Sequence, residues 1–189
     1  MIAAMKPSTA TPPAALPPET RFGGLVMKVD HAGEHGAICV YRGQILMARW
    51  RAPALVGELR QFLAHELRHR ALFAAELQRR GRRRCISYHL CGLGGWMLGL
   101  LTGLAGAQAI AATTVAIEQV VLAHLERQME QLAEDPNAYG AVMNIVLEER
   151  EHRDRAALAL RQGAFWPRLL LPVVGAATSL VIWSGMRLP

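Results

Sequence analysis

The residues whose types and spacing most favour chemistry are two Glu-x-x-His pairs, Glu66-Leu-Arg-His69 and Glu149-Arg-Glu-His152. Positions i and i+3 share one face of a helix, so the carboxylate and the imidazole of a pair can reach the same ion. Either pair alone also fits an ordinary solvated helix with surface ion pairs. Two such pairs, each in a segment of helical composition, favour a metal site.

Two lone glutamates extend this pattern at a regular spacing. Glu34 lies 32 residues before Glu66, and Glu118 lies 31 residues before Glu149. Each half of the chain therefore offers a helix with one inward glutamate, a turn, and a helix with a Glu-x-x-His pair. That ligand set belongs to ferritin-like di-iron and di-manganese bundles. The sequence predicts an all-α protein, a ferritin-like four-helix bundle with additional apolar, membrane-facing helices.

The surroundings of the glutamates support their choice as ligands. Glu118 follows Thr-Thr-Val-Ala-Ile, where a lone ionised carboxylate is costly unless it is paired or bound to a cation. Glu149 is preferred to Glu148 because it lies three residues before His152. Nitrogen and oxygen ligands without a thiolate suit iron or manganese, and iron is preferred because two open-sided irons can activate dioxygen. The six predicted ligands are Glu34, Glu66, His69, Glu118, Glu149 and His152.

Further polar residues are assigned supporting roles around this metal site. Asp30 and Asp154 are predicted to accept the second N–H of a ligating histidine. His124, two turns beyond Glu118, is interpreted either as a catalytic proton relay or as a polar core residue. Three other histidines are expected to be structural or exposed rather than ligands: His31, His35 and His65.

The elements that must position these residues are helices almost throughout after about Arg21, because Ala, Leu, Glu, Gln and Arg recur at helical spacing. Five helices are expected: 24–49, 54–80, one that ends near 135, one that reaches about 162, and 167–186. The proline-rich start predicts a disordered lead-in over residues 1–21, ahead of a ferritin-like di-iron domain over 22–189. A transit peptide is the less favoured interpretation of the lead-in, since it would be richer in arginine.

Composition bounds the class and the compartment of the protein. The 189 residues are 52% hydrophobic and 19% charged, with a net charge of +6, so an anionic partner is expected. Aromatic residues do not interleave with the basic ones as a stacking platform requires, which favours a lipid surface over nucleic acid. The three cysteines form neither a CxxC pair nor a disulfide framework, which indicates a reducing compartment.

Two stretches carry no formal charge, 85–117 and 169–186. Both reach the length of a membrane span, which needs ~20 apolar residues, but the first leads directly into Glu118. A surface that dips into one leaflet is therefore favoured, with full spanning and a soluble core as the alternatives. The arginine-rich run 79–84 lies just before the first stretch, where attraction to anionic headgroups is favoured over a merely solvated face.

With these residues in place, the chain resembles the demethoxyubiquinone hydroxylase family over roughly residues 24–188. The resemblance rests on the following segments and residues: Val29-Asp-His-Ala-Gly-Glu-His-Gly-Ala37, Tyr41-Arg-Gly-Gln44, Glu66-x-x-His69, Thr114-Val-Ala-Ile-Glu118 with His124 and Gln128, and Glu149-x-x-His152-x-Asp154. The chain departs from the family pattern at His35 and Leu125, where the family commonly has tyrosine. These departures leave electron delivery and the exact substrate open.

The resemblance implies a di-iron monooxygenase, with two Fe ions per chain, that hydroxylates the ring of a polyprenylated demethoxy-benzoquinone or quinol in ubiquinone biosynthesis. Electrons are expected from an external donor, because the sequence has no GxGxxG nucleotide-binding motif; NADH, the quinol itself and a partner reductase are the candidates.

The implied position is peripheral, on the cytoplasmic face of the bacterial inner membrane or, alternatively, the matrix side of the mitochondrial inner membrane. A homo-oligomer or other ubiquinone-biosynthesis proteins are the expected protein partners. The rival functions are an oxidoreductase on another quinone or lipid, a ferroxidase, and a non-enzymatic membrane scaffold.

Overall fold

A computed structural model of the chain describes residues 19–187. This part folds into six α helices and one 3-10 turn and contains no strand, which confirms the all-α prediction. The elements are α1 (Arg21–Arg51), the 3-10 turn (Pro53–Leu55), α2 (Val56–Arg79), α3 (Tyr88–Ala105), α4 (Ala107–Gln131), α5 (Pro136–Leu158) and α6 (Phe165–Arg187).

Local sequence signals explain where α1 begins and ends. The Thr20 side chain caps the helix by accepting a hydrogen bond of 2.8 Å from the Gly23 backbone N–H. The helix ends before Pro53, as predicted, since proline cannot donate a backbone hydrogen bond. The predicted lead-in over 1–21 lies outside the described residues except for its last three, and Arg21 already belongs to α1.

Two helical hairpins build the bundle. α1 packs on α2 and α4 packs on α5, while α2 faces α5 across the core. That core includes fully buried Phe73 from α2, Leu125 from α4 and Ile145 from α5. The two additional apolar helices lie outside it, α3 against α1 and α6 against α4. This arrangement agrees with the predicted four-helix bundle and its extra helices.

The uncharged stretch 85–117 contains α3 and the first part of α4, whereas the sequence predicts a single third helix there. Gly106 separates α3 from α4 with a φ of 97°, a left-handed conformation that favours glycine. By length and composition α4 and α6 could each cross a membrane, but 61% of the apolar window of α4 is buried against 17% for α6. α4 is therefore a core helix, and α6 is a surface helix.

α3 approaches α1 closely because glycines face the contact. A Cβ atom on Gly95 would overlap the carbonyl oxygen of Gly36, and one on Gly99 would overlap the carbonyl oxygen of Val40. The exposed face of α3 carries large apolar side chains instead: Leu90, Leu93, Met97, Leu101 and Leu104.

Candidate metal centre

The six predicted ligands come together at one level of the bundle. They lie on four helices, and each is at most 6% exposed. By helix they are Glu34 on α1, Glu66 and His69 on α2, Glu118 on α4, and Glu149 and His152 on α5. Helical periodicity accounts for this, since each Glu-x-x-His pair lies on the inward face of its helix.

These side chains form two overlapping groups that can each hold a metal ion. In each group the ligand atoms lie within 4.8 Å of one another. The first group is Glu34, Glu66, His69 and Glu149, and the second is Glu66, Glu118, Glu149 and His152. We call these the His69 position and the His152 position. Glu66 and Glu149 belong to both groups, so each could contribute a carboxylate oxygen to either position.

The two histidines each point Nδ1 into this cluster. His69 Nδ1 lies 2.8 Å from Glu149 Oε1, and His152 Nδ1 lies 3.2 Å from Glu66 Oε1. Both Nδ1 atoms are buried without a hydrogen bond of good geometry, as are Glu34 Oε2 and Glu66 Oε1. Buried polar atoms without a partner are costly, and a bound cation would satisfy all four.

The pKa values of the buried carboxylates and histidines also favour a bound cation. Burial and the neighbouring Glu66 raise the pKa of Glu34 well above its usual range, and burial and Glu149 do the same to the pKa of Glu118. Burial lowers the pKa of His69, but the nearby carboxylates of Glu149 and Glu34 prevail and raise it to about 12. Without a metal ion, Glu34 and Glu118 favour the protonated form and His69 keeps its proton. These protons supply positive charge that a bound cation would otherwise supply. This donor set of oxygen and nitrogen, without sulfur, suits iron or manganese.

Three contacts around the ligands were missed by the sequence interpretation. The Tyr41 hydroxyl donates to Glu118 Oε1 at 3.1 Å. His69 Nε2 lies 2.8 Å from Glu148 Oε2, and His152 Nε2 lies 3.0 Å from His65 Nδ1. Glu148 and His65 share a sequence signal, because each directly precedes the ligand glutamate of its helix.

The prediction that Asp30 and Asp154 orient the ligating histidines is wrong, because neither contacts these histidines. Asp154 is exposed and accepts hydrogen bonds from Arg153, the shorter at 2.7 Å. Asp30 is buried but accepts from Gln128 Nε2 at 3.0 Å. The same Gln128 nitrogen lies 2.8 Å from His124 Nε2, so these three side chains form a polar chain beside the metal cluster.

A cavity of about 630 Å³ connects this cluster with the surface. Four ligand carboxylates line its inner end, and most of the remaining wall is apolar side chains of α1, α3, α4 and α6. Its lining includes Leu90 of α3 and Leu180 of α6, which are exposed, so the cavity opens between these helices. Asp30 and His124 supply polar groups to the wall.

The two positions at which the chain departs from the family pattern are not among the ligand groups. The His35 ring stacks on Tyr88 with a centroid distance of 4.0 Å, and His31 stacks on the same ring at 5.0 Å. Leu125 packs in the bundle core at 2% exposed. His31 and His35 therefore have the structural role expected of them, and His65 instead contacts a ligand.

Comparisons with known proteins indicate the family of the chain. The family described as "Ubiquinone biosynthesis protein COQ7" matches residues 22–185. A 3-demethoxyubiquinol 3-hydroxylase of Rhodospirillum rubrum is 36% identical over 163 residues, which cover 85% of this chain and 76% of that protein. The NADPH-dependent 3-demethoxyubiquinone 3-hydroxylase, mitochondrial, of Mus musculus is 31% identical over 167 residues, 86% of this chain and 76% of that protein. With a match that spans the whole bundle and all six candidate ligands, this chain belongs to the COQ7 family.

Proposed function

We propose that this chain is an O2-dependent di-iron monooxygenase that hydroxylates the ring of a polyprenylated demethoxy-benzoquinol in ubiquinone biosynthesis. The observation that carries the proposal is the apolar cavity of about 630 Å³ that ends at the cluster of carboxylates and imidazoles. An apolar cavity with few polar groups suits a ring with a long hydrocarbon tail. The relatives named 3-demethoxyubiquinol 3-hydroxylase support this substrate class.

Two Fe ions are the proposed occupants of the His69 and His152 positions. Iron bound there supplies the activation of dioxygen. Glu66 and Glu149, which belong to both groups, would contribute to holding either ion, while Glu34 and Glu118 would each serve one position. Insertion of one oxygen atom into a ring C–H bond releases the other as water and consumes two electrons and two protons. An external donor supplies the electrons, and the mouse relative's name supports a reduced nicotinamide.

His124 is the proposed contact for an oxygen substituent of the ring. Burial and nearby Arg127 lower the pKa of His124 to about 4, so its imidazole is neutral at pH 7. Because the Gln128 amide donates to Asp30 Oδ1 and lies against His124 Nε2, that nitrogen is the acceptor and Nδ1 carries the proton. Because His124 lines the cavity, its Nδ1–H is proposed to donate to a ring oxygen there. The residue is proposed as the catalytic group that holds or passes a proton there.

The proposed location is peripheral, at the cytoplasmic face of a bacterial inner membrane. The cavity opens between α3 and α6, whose exposed faces are apolar. Of the arginine-rich run, Arg79 pairs with Glu76 and Glu19, and Arg80 pairs with Glu76 and Asp135. Arg82, Arg83 and Arg84 are exposed, and although Arg84 also lies over the Tyr88 ring, all three are proposed to face anionic headgroups. A quinol whose tail lies in the bilayer would reach the metals through this opening.

The test is hydroxylation by the purified, iron-loaded full chain, with a demethoxy-benzoquinol in vesicles, a reduced nicotinamide and ¹⁸O2. One ¹⁸O atom is expected in the ring, by mass spectrometry of the product. Glu118→Ala is expected to abolish turnover and iron binding at the His152 position while most helicity remains. Glu126→Ala, an exposed glutamate on the same helix, is the matched control and is expected to keep full activity. Full turnover by Glu118→Ala would contradict the proposal.

A further inference from the structure

The outward-facing Nε2 atom of each candidate ligand histidine contacts a residue on the opposite helix. On α2, His69 directs Nε2 at Glu148 of α5, at 2.8 Å. On α5, His152 directs Nε2 at His65 of α2, at 3.0 Å. Each ligating histidine is therefore supported by the residue that directly precedes the ligand glutamate of the opposite helix. The two halves follow the same plan but differ in chemistry, since one support is a carboxylate and the other is an imidazole.

Metal binding fixes the direction of both hydrogen bonds. A histidine presents a lone pair to a metal, and here Nδ1 is the atom that faces the cluster in both rings. Nε2 then carries the proton in both rings and must donate it outward. Glu148 Oε2 accepts from His69, and His65 Nδ1 accepts from His152. A partner of this kind fixes the ring orientation and makes the ligating nitrogen more basic.

The two acceptors differ in strength. Glu148 carries a charge and is held in place by Arg68 Nη2, at 2.8 Å and 3.0 Å from its two oxygens. A hydrogen bond to an ionised acceptor is roughly twice as strong as one between neutral groups. His65 offers only a ring nitrogen, and it lies 3.6 Å from Glu148 Oε2. Glu148 therefore supports His69 alone, because His65 Nδ1 accepts from His152 and has no proton to share with Glu148.

We infer that Glu148 and His65 are positioning residues that make the two metal positions unequal. The His69 position, supported by a carboxylate, binds a divalent metal ion more tightly than the His152 position, supported by an imidazole. This inference rests on the two-metal site of the proposed function. It concerns affinity rather than turnover, so it can fail while the hydroxylation stands, and it can hold if the substrate is a different one.

The first test is a titration of the full-length chain with Co²⁺, followed by visible absorption. Two binding steps of different affinity are expected, and two equivalent sites would overturn the inference. Single-ligand variants then isolate each position, because Glu34 and Glu118 each belong to one group only. Glu118→Ala leaves the His69 position, and Glu34→Ala leaves the His152 position. The former is expected to bind Co²⁺ more tightly.

The second test removes the support. Glu148→Leu is expected to weaken Co²⁺ binding about 10- to 100-fold in the Glu118→Ala background, and clearly less in the Glu34→Ala background. Glu148→Gln keeps an acceptor without the charge, so its loss is expected to be smaller. His65→Leu is expected to act mainly in the Glu34→Ala background. Glu151→Gln, an exposed glutamate in the same turn of α5, is the control. Equal losses in the two backgrounds, or none, would overturn the inference.

Discussion

At the scale of single residues, Glu118 is a buried carboxylate whose desolvation the surrounding side chains must offset. It is 2% exposed on α4, and burial together with Glu149 raises its pKa well above the usual range. One oxygen accepts a hydrogen bond from the Tyr41 hydroxyl, and His152 Nδ1 lies 4.0 Å away from the same atom. Tyr41 is thus a fixed donor that orients the carboxylate and favours its ionised form, the form that a metal would need.

Tyr41→Phe is expected to weaken metal binding at the His152 position while the fold is kept. The ring still packs against Phe62, so helicity is expected to be unchanged. The lost donor leaves the Glu118 carboxylate less well oriented, which is expected to weaken Co²⁺ binding roughly tenfold in the Glu34→Ala background. Tyr88→Phe is the control, since its hydroxyl faces Arg70 at 3.5 Å. Unchanged affinity in Tyr41→Phe would show that the hydrogen bond has no orienting role.

The grouping of the six candidate ligands could be predicted from the sequence, but the side chains that contact them from outside the group could not. Glu-x-x-His spacing and the apolar surroundings of Glu118 are local signals. The roles of Glu148 and His65 depend on which helix lies opposite, and no local pattern states this. Asp154 was misassigned because a residue two positions after an inward ligand points away from it on a helix of 3.6 residues per turn. The structure places that carboxylate on the surface with Arg153.

At the scale of elements, the close contact of α3 with α1 shapes the cavity. Gly95 and Gly99 allow the two backbones to approach, and the cavity lies along this pair of helices. Large side chains at these positions would separate α3 from α1 and move one wall of the cavity. Gly95 and Gly99 are therefore needed for the packing of α3 on α1.

Gly99→Ala is expected to destabilise the protein by about 1–3 kcal/mol, because the added Cβ overlaps the Val40 carbonyl and the helices must shift. Gly94→Ala lies on the same helix with no atom within 4 Å of an added Cβ. It is expected to be neutral or to stabilise by up to about 1 kcal/mol, since alanine favours the helix. Urea unfolding followed by circular dichroism measures both. Equal effects would mean that α3 does not rely on backbone contact with α1.

The sequence predicted the two hairpins of the bundle but not the break within 85–117. Pro53 and Pro136 mark the hairpin turns, since each lacks a backbone donor and begins a new helical segment. The break falls at Gly106, one of many glycines in that stretch, and composition does not single out the glycine with a positive φ. Its place is decided by how α3 folds back on α1, a tertiary contact.

At the scale of the whole molecule, one buried ion pair joins three elements. Arg80 follows α2, and its guanidinium donates to both oxygens of Asp135, at 2.8 Å and 2.7 Å. Asp135 also caps α5 by accepting from the Ala138 backbone N–H, and it accepts from the Thr20 backbone N–H at the start of α1. Both side chains of the pair are fully buried.

Asp135→Asn is expected to destabilise the fold by about 3–5 kcal/mol at pH 7, because it leaves the buried Arg80 without a counter-charge. Burial opposes ionisation of Asp135, but hydrogen bonds from Arg80 and Thr20 prevail and hold its pKa well below the usual range. A lowered pKa contributes stability above the unfolded value, and this contribution is lost as the pH falls through the folded value. The difference between wild type and variant is therefore expected to shrink below about pH 4.

Urea unfolding at several pH values measures that difference, with the exposed Asp154→Asn as the control. A difference that stays constant down to pH 2 would contradict the role given to the ion pair.

The last whole-molecule property is the apolar face that surrounds the cavity opening. Leu93 is 64% and Met97 53% exposed on α3, and α6 presents Leu180 and Trp183 on its own exposed side. Burying one such side chain in lipid is worth about 1.5–3 kcal/mol, so the face can anchor the protein without a spanning helix. The exposed arginines add ~1 kcal/mol each on an anionic surface, and this part is screened by salt.

Leu93→Asp/Met97→Asp is therefore expected to lower binding to vesicles by at least tenfold, as measured by co-sedimentation, on neutral and anionic lipid alike. Arg82→Gln/Arg83→Gln is expected to lower binding on anionic vesicles only, and only at low salt. Leu147→Asp is the control, because Leu147 is 74% exposed on α5, away from the cavity lining. Turnover of a short-tailed, water-soluble quinol is expected to survive in all three, since none touches the metal cluster. Equal loss of vesicle binding in the Leu147 variant would mean that the face around the cavity opening is not the membrane contact.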